Sequence, residues 1–402
     1  MACSARLLTV HSPADADRQL AALHIDPFTV RNLGPKMVYR LVRVEGVDSR
    51  ESLVLKQEMI AVGGDAAMGR ESEPEHSHPV VILMGTEKQL RKLCGNLSHH
   101  PLGFTALAVE LLRLLSIEAA PSRLWNTGRN AFDFSQRLCI MGILNVTPDS
   151  FSDGNCYLDV DKAVDRALQM EAEGADIIDI GGESTRPFAP PVSEQEELRR
   201  VMPVLERLRG KVSVPISIDT YKSGVAREAL SAGAEVINDI SGLTFDSRMA
   251  DTIVEADAGL VLMHTRGRPA DMQKNTAYDS VIDDVVRFLR EALSRTEAAG
   301  IPVERTVVDP GIGFGKSKEG NLEILARLPE LSSLGRPLLI GTSRKGFIGT
   351  VLHREKDERL FGTAATVAVA VAHGASIFRV HDVKEMRDVV DMAFAIRIQQ
   401  AE

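Results

Sequence analysis

The sequence predicts an α/β chain: a (β/α)8 TIM barrel preceded by a small N-terminal α/β domain. Three observations carry this. From Leu138 onward, short apolar runs of β-type residues alternate with stretches of helical period, eight of each. Nearly every apolar run ends in polar or charged residues, as strands do when a rigid scaffold presents chemistry at one end. Before about residue 130 that alternation is absent, and Pro121 to Phe134, with Asn-Thr-Gly-Arg-Asn at its centre, reads as a linker. The expected division is an accessory domain over 1–130 and a catalytic domain over 137–402. A doubly wound open sheet is the structural competitor, and the count of eight favours the closed ring.

Taken in order, Ser12 caps a short helix to Leu23, with Pro13 at its first position. Met37–Val44 alternates as a strand, and Gly63–Ala67 reads as a turn. Arg70 to Pro79 reads as an exposed loop. Val80–Gly85 is a strand, and Thr86 caps a helix to Leu97. A second apolar helix runs from Phe104 to Leu115. His76, His78, His99 and His100 are expected to be surface loop residues rather than metal ligands.

The eight expected barrel strands are Cys139–Val146, Asp176–Gly182, Val214–Thr220, Val236–Ser241, Gly259–Thr265, Thr306–Pro310, Leu338–Ser343 and Ile377–His381. The helices between them are expected over Asp161–Gly174, Ser193–Arg209, Lys222–Ala232, Ser247–Ala256, Ile282–Ala299, Asn321–Leu331, Arg359–Ala372 and Lys384–Gln399. Ser193 and Glu196 have the spacing of a capping box.

The chain has 402 residues, 44% of them hydrophobic and 26% charged, which suits a globular protein of two domains. A net charge of -9 argues against bulk affinity for nucleic acid or an anionic membrane, while leaving room for a local basic pocket. The four cysteines have no CxxC spacing and read as reduced thiols. There is no convincing leader and no apolar run of membrane-spanning length, so a soluble, cytoplasmic protein is expected.

The C-terminal ends of the strands are where a barrel builds its active site. Here they carry Asn145; Gly182-Glu183-Ser184-Thr185-Arg186-Pro187; Asp219; Asn238-Asp239; Met263-His264; Asp309 through Lys316; Gly341-Thr342-Ser343-Arg344-Lys345; and Arg379-Val380-His381-Asp382. Asp219, Asn238 and Asp309 come from three strands and converge. Each alone is costly to desolvate, and together they form an acceptor and donor set for a nitrogen heterocycle, with Lys345 able to donate to ring acceptors. Asn145, Arg379 and His381 come from the first and last strands, which are neighbours in a closed barrel. Arg and His there suit a phosphate or diphosphate, and the Asn145 amide oxygen suits a hard cation such as Mg2+ riding on it. Any one aspartate at a strand end can be a helix cap or a turn residue; the set, at the same end of eight strands, is harder to explain that way. His264 is as well read as a satisfied core histidine as a ligand contact. Gly311–Ser317 ends in Gly-Lys-Ser but has Pro310 where a phosphate loop needs its first glycine, so a nucleotide-binding P-loop is rejected.

Asn145–Gly154, Gly182–Pro187, Asp309–Lys316, Ser343-Arg344-Lys345 and Arg379–Asp382 together resemble dihydropteroate synthases, in order, over about residues 137–398. The resemblance implies a transferase of folate synthesis. It would condense 6-hydroxymethyl-7,8-dihydropterin diphosphate with p-aminobenzoate, by an SN1-like path with Mg2+ as cofactor. It implies that Asp219, Asn238, Asp309 and Lys345 hold the pterin, and that Asn145, Arg379 and His381 hold diphosphate and Mg2+. Met263 and Gly341 would also line the substrate site. Thr185, Arg186 and Pro187 would close over p-aminobenzoate with Phe314 and Ser343. Asp149 would act from a first loop, Thr147–Gly154, that orders late. A homodimer through the last helices is expected by the same resemblance. The chain departs from the family at Phe188-Ala189-Pro190-Pro191, where a Gly-Ala pair is usual. A methyltetrahydrofolate:corrinoid methyltransferase is the nearest rival, and a silent pterin-binding module a third reading. Ser343-Arg344-Lys345 and Arg379-Val380-His381 favour the synthase.

Overall fold

A computed structural model describes residues 4–10, 12–69, 79–119, 122–147 and 156–401. The chain divides into two compact units, Met1–Pro121 with Ile398–Glu402, and Ser122–Arg397.

The first unit contains α1 (Pro13–Ala21), α2 (Pro27–Met37), β1 (Tyr39–Val44), α3 (Ser49–Ala61), β2 (Asp65–Met68), β3 (Val81–Thr86), α4 (Glu87–Ser98) and α5 (Thr105–Ala119). Ser12 and Thr86 cap their helices as expected, each accepting from the backbone N–H three residues on. Two expectations are corrected. Met37 belongs to a helix rather than to β1, and Asp65–Met68, expected as part of a turn, is a strand pairing antiparallel with β3. The sheet order is β1-β3-β2, and Leu55, Met59, Leu83, Leu90, Leu93 and Leu97 form the core of this unit. The expected loop Arg70–Pro79 lies outside the described residues over all but its last position.

The second unit is the barrel. Its strands are β6 (Cys139–Asn145), β7 (Ile177–Gly181), β8 (Ile216–Asp219), β9 (Val236–Asp239), β10 (Gly259–Met263), β11 (Thr306–Asp309), β12 (Leu339–Ile340) and β13 (Ile377–Val380), all parallel, in the order β11-β10-β9-β8-β7-β6-β13-β12. A parallel bridge from Val308 to Leu338 joins the two ends of that order and closes the ring. The apolar strand interiors and the inner faces of the surrounding helices merge into one core. All eight strands fall where the sequence placed them.

The helices are α6 (Cys156–Ala172), α7 (Glu194–Leu208), α8 (Ser223–Ala232), α9 (Met249–Ala256), α10 (Val281–Ala299), α11 (Lys318–Ala326), α12 (Gly346–Leu352), α13 (Leu360–Ala372) and α14 (Val383–Ala401). Ser193 caps α7, but Glu196 does not complete the box. Its carboxylate is spent on Arg199 and Arg200, which offer charged donors.

The expected linker is instead a β-hairpin, β4 (Leu124–Asn126) and β5 (Ala131–Asp133). Composition misled because a tight hairpin and a linker share Asn and Gly. What distinguishes it is Trp125, fully buried in the barrel core, with its indole N–H donating 3.0 Å to the carbonyl of Arg305 just before β11. Asn130 donates to Glu235 and Arg129 to the Gly233 carbonyl, at the start of β9. The hairpin therefore docks on the N-terminal ends of the strands, the end opposite the candidate site.

Candidate active site

Parallel strands of one ring bring their last residues to one mouth, and the mouth is polar. Asp219, Asn238 and Asp309 are all buried. Asp219 ends β8 beside Asn238 on β9 in register, and Asp309 ends β11 beside Met263 on β10. Asp309 Oδ1 accepts the Gly311 N–H at 2.7 Å. Asp219 Oδ2 accepts from Arg379 Nη2 at 2.7 Å, while its Oδ1 is buried with no described partner. Burial lifts the Asp219 carboxyl to about 7 against the pull of Arg379, with the Asp179, Glu197 and Glu183 carboxylates adding to the rise. Burial raises Asp309 as well, opposed chiefly by Lys345.

Arg379 makes contacts beyond those expected. The sequence grouped it with Asn145 and His381. In the fold its Nε donates to Asp179 Oδ2 at 2.6 Å and its Nη2 to Asp219, so the guanidinium spans the barrel interior to two buried carboxylates. The reason is electrostatic: two desolvated carboxylates need a cation, and the long side chain of Arg379 reaches them. Burial acts to lower its pKa, but Asp179 and Asp219 outweigh that and hold it protonated. Nη1 is left without a hydrogen bond to a described residue.

His381 and Ser343 form the adjoining corner. Ser343 Oγ accepts the His381 backbone N–H at 3.1 Å and lies 2.9 Å from its ring Nδ1. The hydroxyl and the ring nitrogen thus share one hydrogen bond, which fixes the orientation of the imidazole. Burial, with Arg379 and Arg344 nearby, pushes His381 down to about 3, so the imidazole is neutral. Arg344 takes a left-handed conformation (φ 57°) and turns its guanidinium onto Asp382, which seats Ser343 and Lys345 on either side of it. Gly341 lies against Arg379, 3.8 Å from its Cβ to where a side chain would begin. Asn145 ends β6, half-buried, beside Gly181 in register.

Lys345 keeps part of its surface in the open mouth, yet the surrounding protein strips its ammonium of water and lowers its pKa to about 8, with Asp309 opposing. It donates to the Ile312 carbonyl and lies 4.6 Å from the centre of the Phe314 ring. Phe314 packs with Met263, Tyr221 and Ile240. The loop carrying it is shaped by three left-handed glycines. At Gly311 (φ 68°) a Cβ would come within 1.9 Å of the His264 carbonyl, so only glycine fits. The loop curls around the Lys316 ammonium, 2.9 Å from the Gly311 oxygen, 3.0 Å from that of Phe314 and 2.8 Å from His264 Nδ1. This lysine is enclosed by the protein's own carbonyls, in keeping with the rejected phosphate loop. His264 is the satisfied core histidine of the two readings.

The second loop places Thr185 half-buried and Arg186 and Pro187 exposed. The departure at Phe188 has a backbone signature: φ is 65°, its side chain is 66% exposed, and its N–H donates to the Pro269 carbonyl after β10. Asp149 and the rest of the first loop from Pro148 to Asn155 lie outside the described residues.

Sequence reasoning missed two groups. Asp179, wholly buried in mid-strand, joins Arg379 to Asn238, whose Nδ2 donates to it at 3.2 Å. The available signal was an aspartate within Ile-Ile-Asp-Ile. Below the second loop, Lys222 bridges Glu183 and Glu197, and Tyr221 Oη donates to Glu183 at 2.7 Å. Burial raises Glu197, opposed by Lys222.

A closed barrel whose mouth joins a buried Asp/Asn/Asp wall to a Ser–His corner defines a class: (β/α)8 enzymes with a polar site at the C-terminal ends of the strands. Residues 141–381 match the family model described as pterin binding enzyme. The dihydropteroate synthase of Synechocystis sp. is 46% identical over 270 residues, which cover 67% of this chain and 93% of that one. A solved dihydropteroate synthase from Xanthomonas albilineans, in complex with 7,8-dihydropteroate, is 40% identical. It superposes with a TM-score of 0.62 over 68% of this chain and 98% of its own. The match extends across both units in a probable bifunctional folylpolyglutamate synthase/dihydropteroate synthase of Halobacterium salinarum. It is 41% identical over 389 residues, 96% of this chain, and the chain spans 46% of that protein's length. The chain belongs to the pterin-binding enzyme family, within its dihydropteroate synthase group.

Proposed function

We propose that this chain is a dihydropteroate synthase, joining 6-hydroxymethyl-7,8-dihydropterin diphosphate to p-aminobenzoate and releasing diphosphate. The observation that carries the proposal is the pairing of a buried, partly unsatisfied Asp219–Asn238–Asp309 wall with a neighbouring Ser343–His381 corner. A corrinoid methyl transfer would need the first and not the second.

The pterin ring lies against Asp219, Asn238 and Asp309, with Lys345 donating to its acceptors and Met263, Phe314 and Gly341 bounding it. The diphosphate meets the ring of His381 and the free Nη1 of Arg379. As the C–O bond breaks, the electron pair leaves with diphosphate, and these fixed donors stabilise the developing charge. Positive charge left on the pterin faces the ionised Asp219 carboxylate. The p-aminobenzoate nitrogen attacks that carbon and loses a proton. Thr185, Arg186 and Pro187 cover the amine with Phe314 beside it, Ser343 acts through His381, and Asp149 closes from the first loop, excluding water.

Among the described residues no group of three His, Cys, Asp or Glu side chains stands close enough to hold a metal ion. Asn145, at the end of β6, offers one amide oxygen beside Gly181. That donor set fits Mg2+ carried on the substrate's phosphate oxygens. Bound there, Mg2+ would neutralise charge on the leaving group.

In this reading the expected catalytic domain, 137–402, gains the β4–β5 hairpin as its base, and the accessory domain, expected over 1–130, ends before that hairpin. The substrates are small molecules, and we assign no nucleic-acid or membrane partner. No helix among the described residues is long and apolar enough to cross a membrane. A homodimer through α13 and α14 is supported by Phe361 and Met392, 84% and 64% exposed. The test is to incubate the purified chain with dihydropterin diphosphate, p-aminobenzoate and Mg2+. Dihydropteroate and stoichiometric diphosphate are expected; neither appearing overturns the proposal.

A further inference from the structure

The second loop, Ser184 to Ser193, leaves β7 through Glu183 and returns to the barrel at α7, whose first turn carries Glu197. Both carboxylates are buried, and one ammonium serves them. Lys222, half-buried just after β8, donates from Nζ to Glu183 Oε2 and to Glu197 Oε2. The two ends of the loop are thereby tied to each other and to the strand that ends in Asp219. Glu183 is held from a second side, its Oε1 accepting from Tyr221 Oη at 2.7 Å. The Arg268 guanidinium lies 5.7 Å from the centre of that tyrosine ring, and the carbonyl of the next residue, Pro269, takes the Phe188 N–H at 2.9 Å. Base and tip of the loop thus belong to one chain of contacts. None of Lys222, Glu197 and Tyr221 is assigned to a substrate. Two buried carboxylates that share one lysine cannot stay together and charged once it is removed. Either they part or they take up a proton, and in both cases the ends of the loop lose their tie. The pterin wall is supported separately: Asp219 takes its charged partner from Arg379.

We propose that Lys222 is a positioning residue for p-aminobenzoate: it staples the two ends of the second loop, so that Thr185, Arg186 and Pro187 are presented over the amine. This rests on the synthase reading above, in which that loop covers p-aminobenzoate, and adds to it a residue that touches neither substrate. A loop held at both ends is pre-organised over its ligand, and releasing one end makes binding bear the cost of ordering it. Loss of the staple therefore weakens p-aminobenzoate binding and spares pterin binding.

The test separates the two substrates, with every variant assayed well below its melting midpoint. In Lys222→Met, KM for p-aminobenzoate should rise at least about tenfold while kcat stays within about threefold, the pattern of binding lost equally from ground and transition states. Calorimetric affinity for 6-hydroxymethylpterin should stay within about threefold, since none of the staple's described hydrogen bonds goes to the wall. Charge exchange supplies the rescue. Lys222→Glu and Glu197→Lys each set like charges in contact and should raise the same KM. Combined, they again place one ammonium between two carboxylates, and KM should return to within about threefold of wild type, the coupling of contacting residues. Should Lys222→Met not fold, Tyr221→Phe decides: it keeps the ring, removes one hydrogen bond from Glu183, and should raise KM for p-aminobenzoate about threefold with pterin affinity unchanged. A normal KM for p-aminobenzoate in the folded variant overturns the proposal, as does an equal loss of pterin affinity. An exchange variant that regains its melting temperature without regaining KM overturns it too, because the triad would then serve stability alone. A wild type that makes no dihydropteroate refutes the synthase reading and the proposal with it, whereas in an active wild type these outcomes remove the staple only.

Discussion

Lys345 should set the alkaline limit of the reaction. It faces the pterin wall, and desolvation brings its pKa to about 8. Its ammonium fraction then falls from about nine-tenths at pH 7 to about one-tenth at pH 9. If only the charged form donates to the ring, kcat/KM for dihydropterin diphosphate should drop about tenfold across that interval, since this parameter reports groups on the free enzyme. Removing the donor altogether in Lys345→Met forfeits a charge-assisted hydrogen bond of about 1.5–3 kcal/mol, or about 10- to 150-fold in kcat/KM. Lys345→Arg keeps a charge that does not titrate and should lose the alkaline limb even where its absolute rate is lower. The assay is initial velocity by diphosphate release from pH 6 to 10 at saturating p-aminobenzoate. A wild-type profile flat to pH 9.5, or a limb that persists at the same midpoint in Lys345→Arg, would refute the reasoning.

Three further outcomes are expected. Trp125→Ala should cost the barrel about 3–5 kcal/mol for the lost buried volume, whereas Trp125→Phe should cost about 1–2 kcal/mol, chiefly for the unpaired Arg305 carbonyl; denaturant unfolding followed by circular dichroism measures both. His381 is held at about 3 in the fold against 6.5 for a free imidazole, so between those values the unfolded chain binds the extra proton. Its contribution to stability is present above about pH 6.5 and is lost as pH falls through that window, and thermal midpoints taken from pH 7 to 5 should fall less steeply in His381→Asn. Phe361→Glu on α13 should convert the proposed dimer to a monomer in sedimentation, with the melting temperature little changed.

Much of this was legible because barrels write their chemistry at strand ends. Asp219, Asn238, Asp309 and His381 each follow an apolar run and are visible without a structure. Asp179 was not, because its meaning depends on reaching Arg379, 200 residues away in sequence. Arg379 was seen, but its bonds to Asp179 and Asp219 were not, since period two gives the face of a strand and not how far a long side chain extends across the ring. The hairpin at Trp125 was hidden for a third reason: turn residues mark a change of direction, and only tertiary burial tells a docked turn from a tether. The charge state of His381 depends on burial, which sequence does not give.

The tryptophan that pins the hairpin is also the only one in the chain. Red-edge excitation therefore produces emission from the unit Ser122–Arg397 alone, while the peptide signal in circular dichroism sums both units. A single pair of unfolding curves on the unmodified protein thus separates the two: superimposed transitions mean that they melt as one cooperative body, and displaced transitions give each its own stability. The molecule carries, at the closed end of its barrel, a built-in optical label for one half of itself.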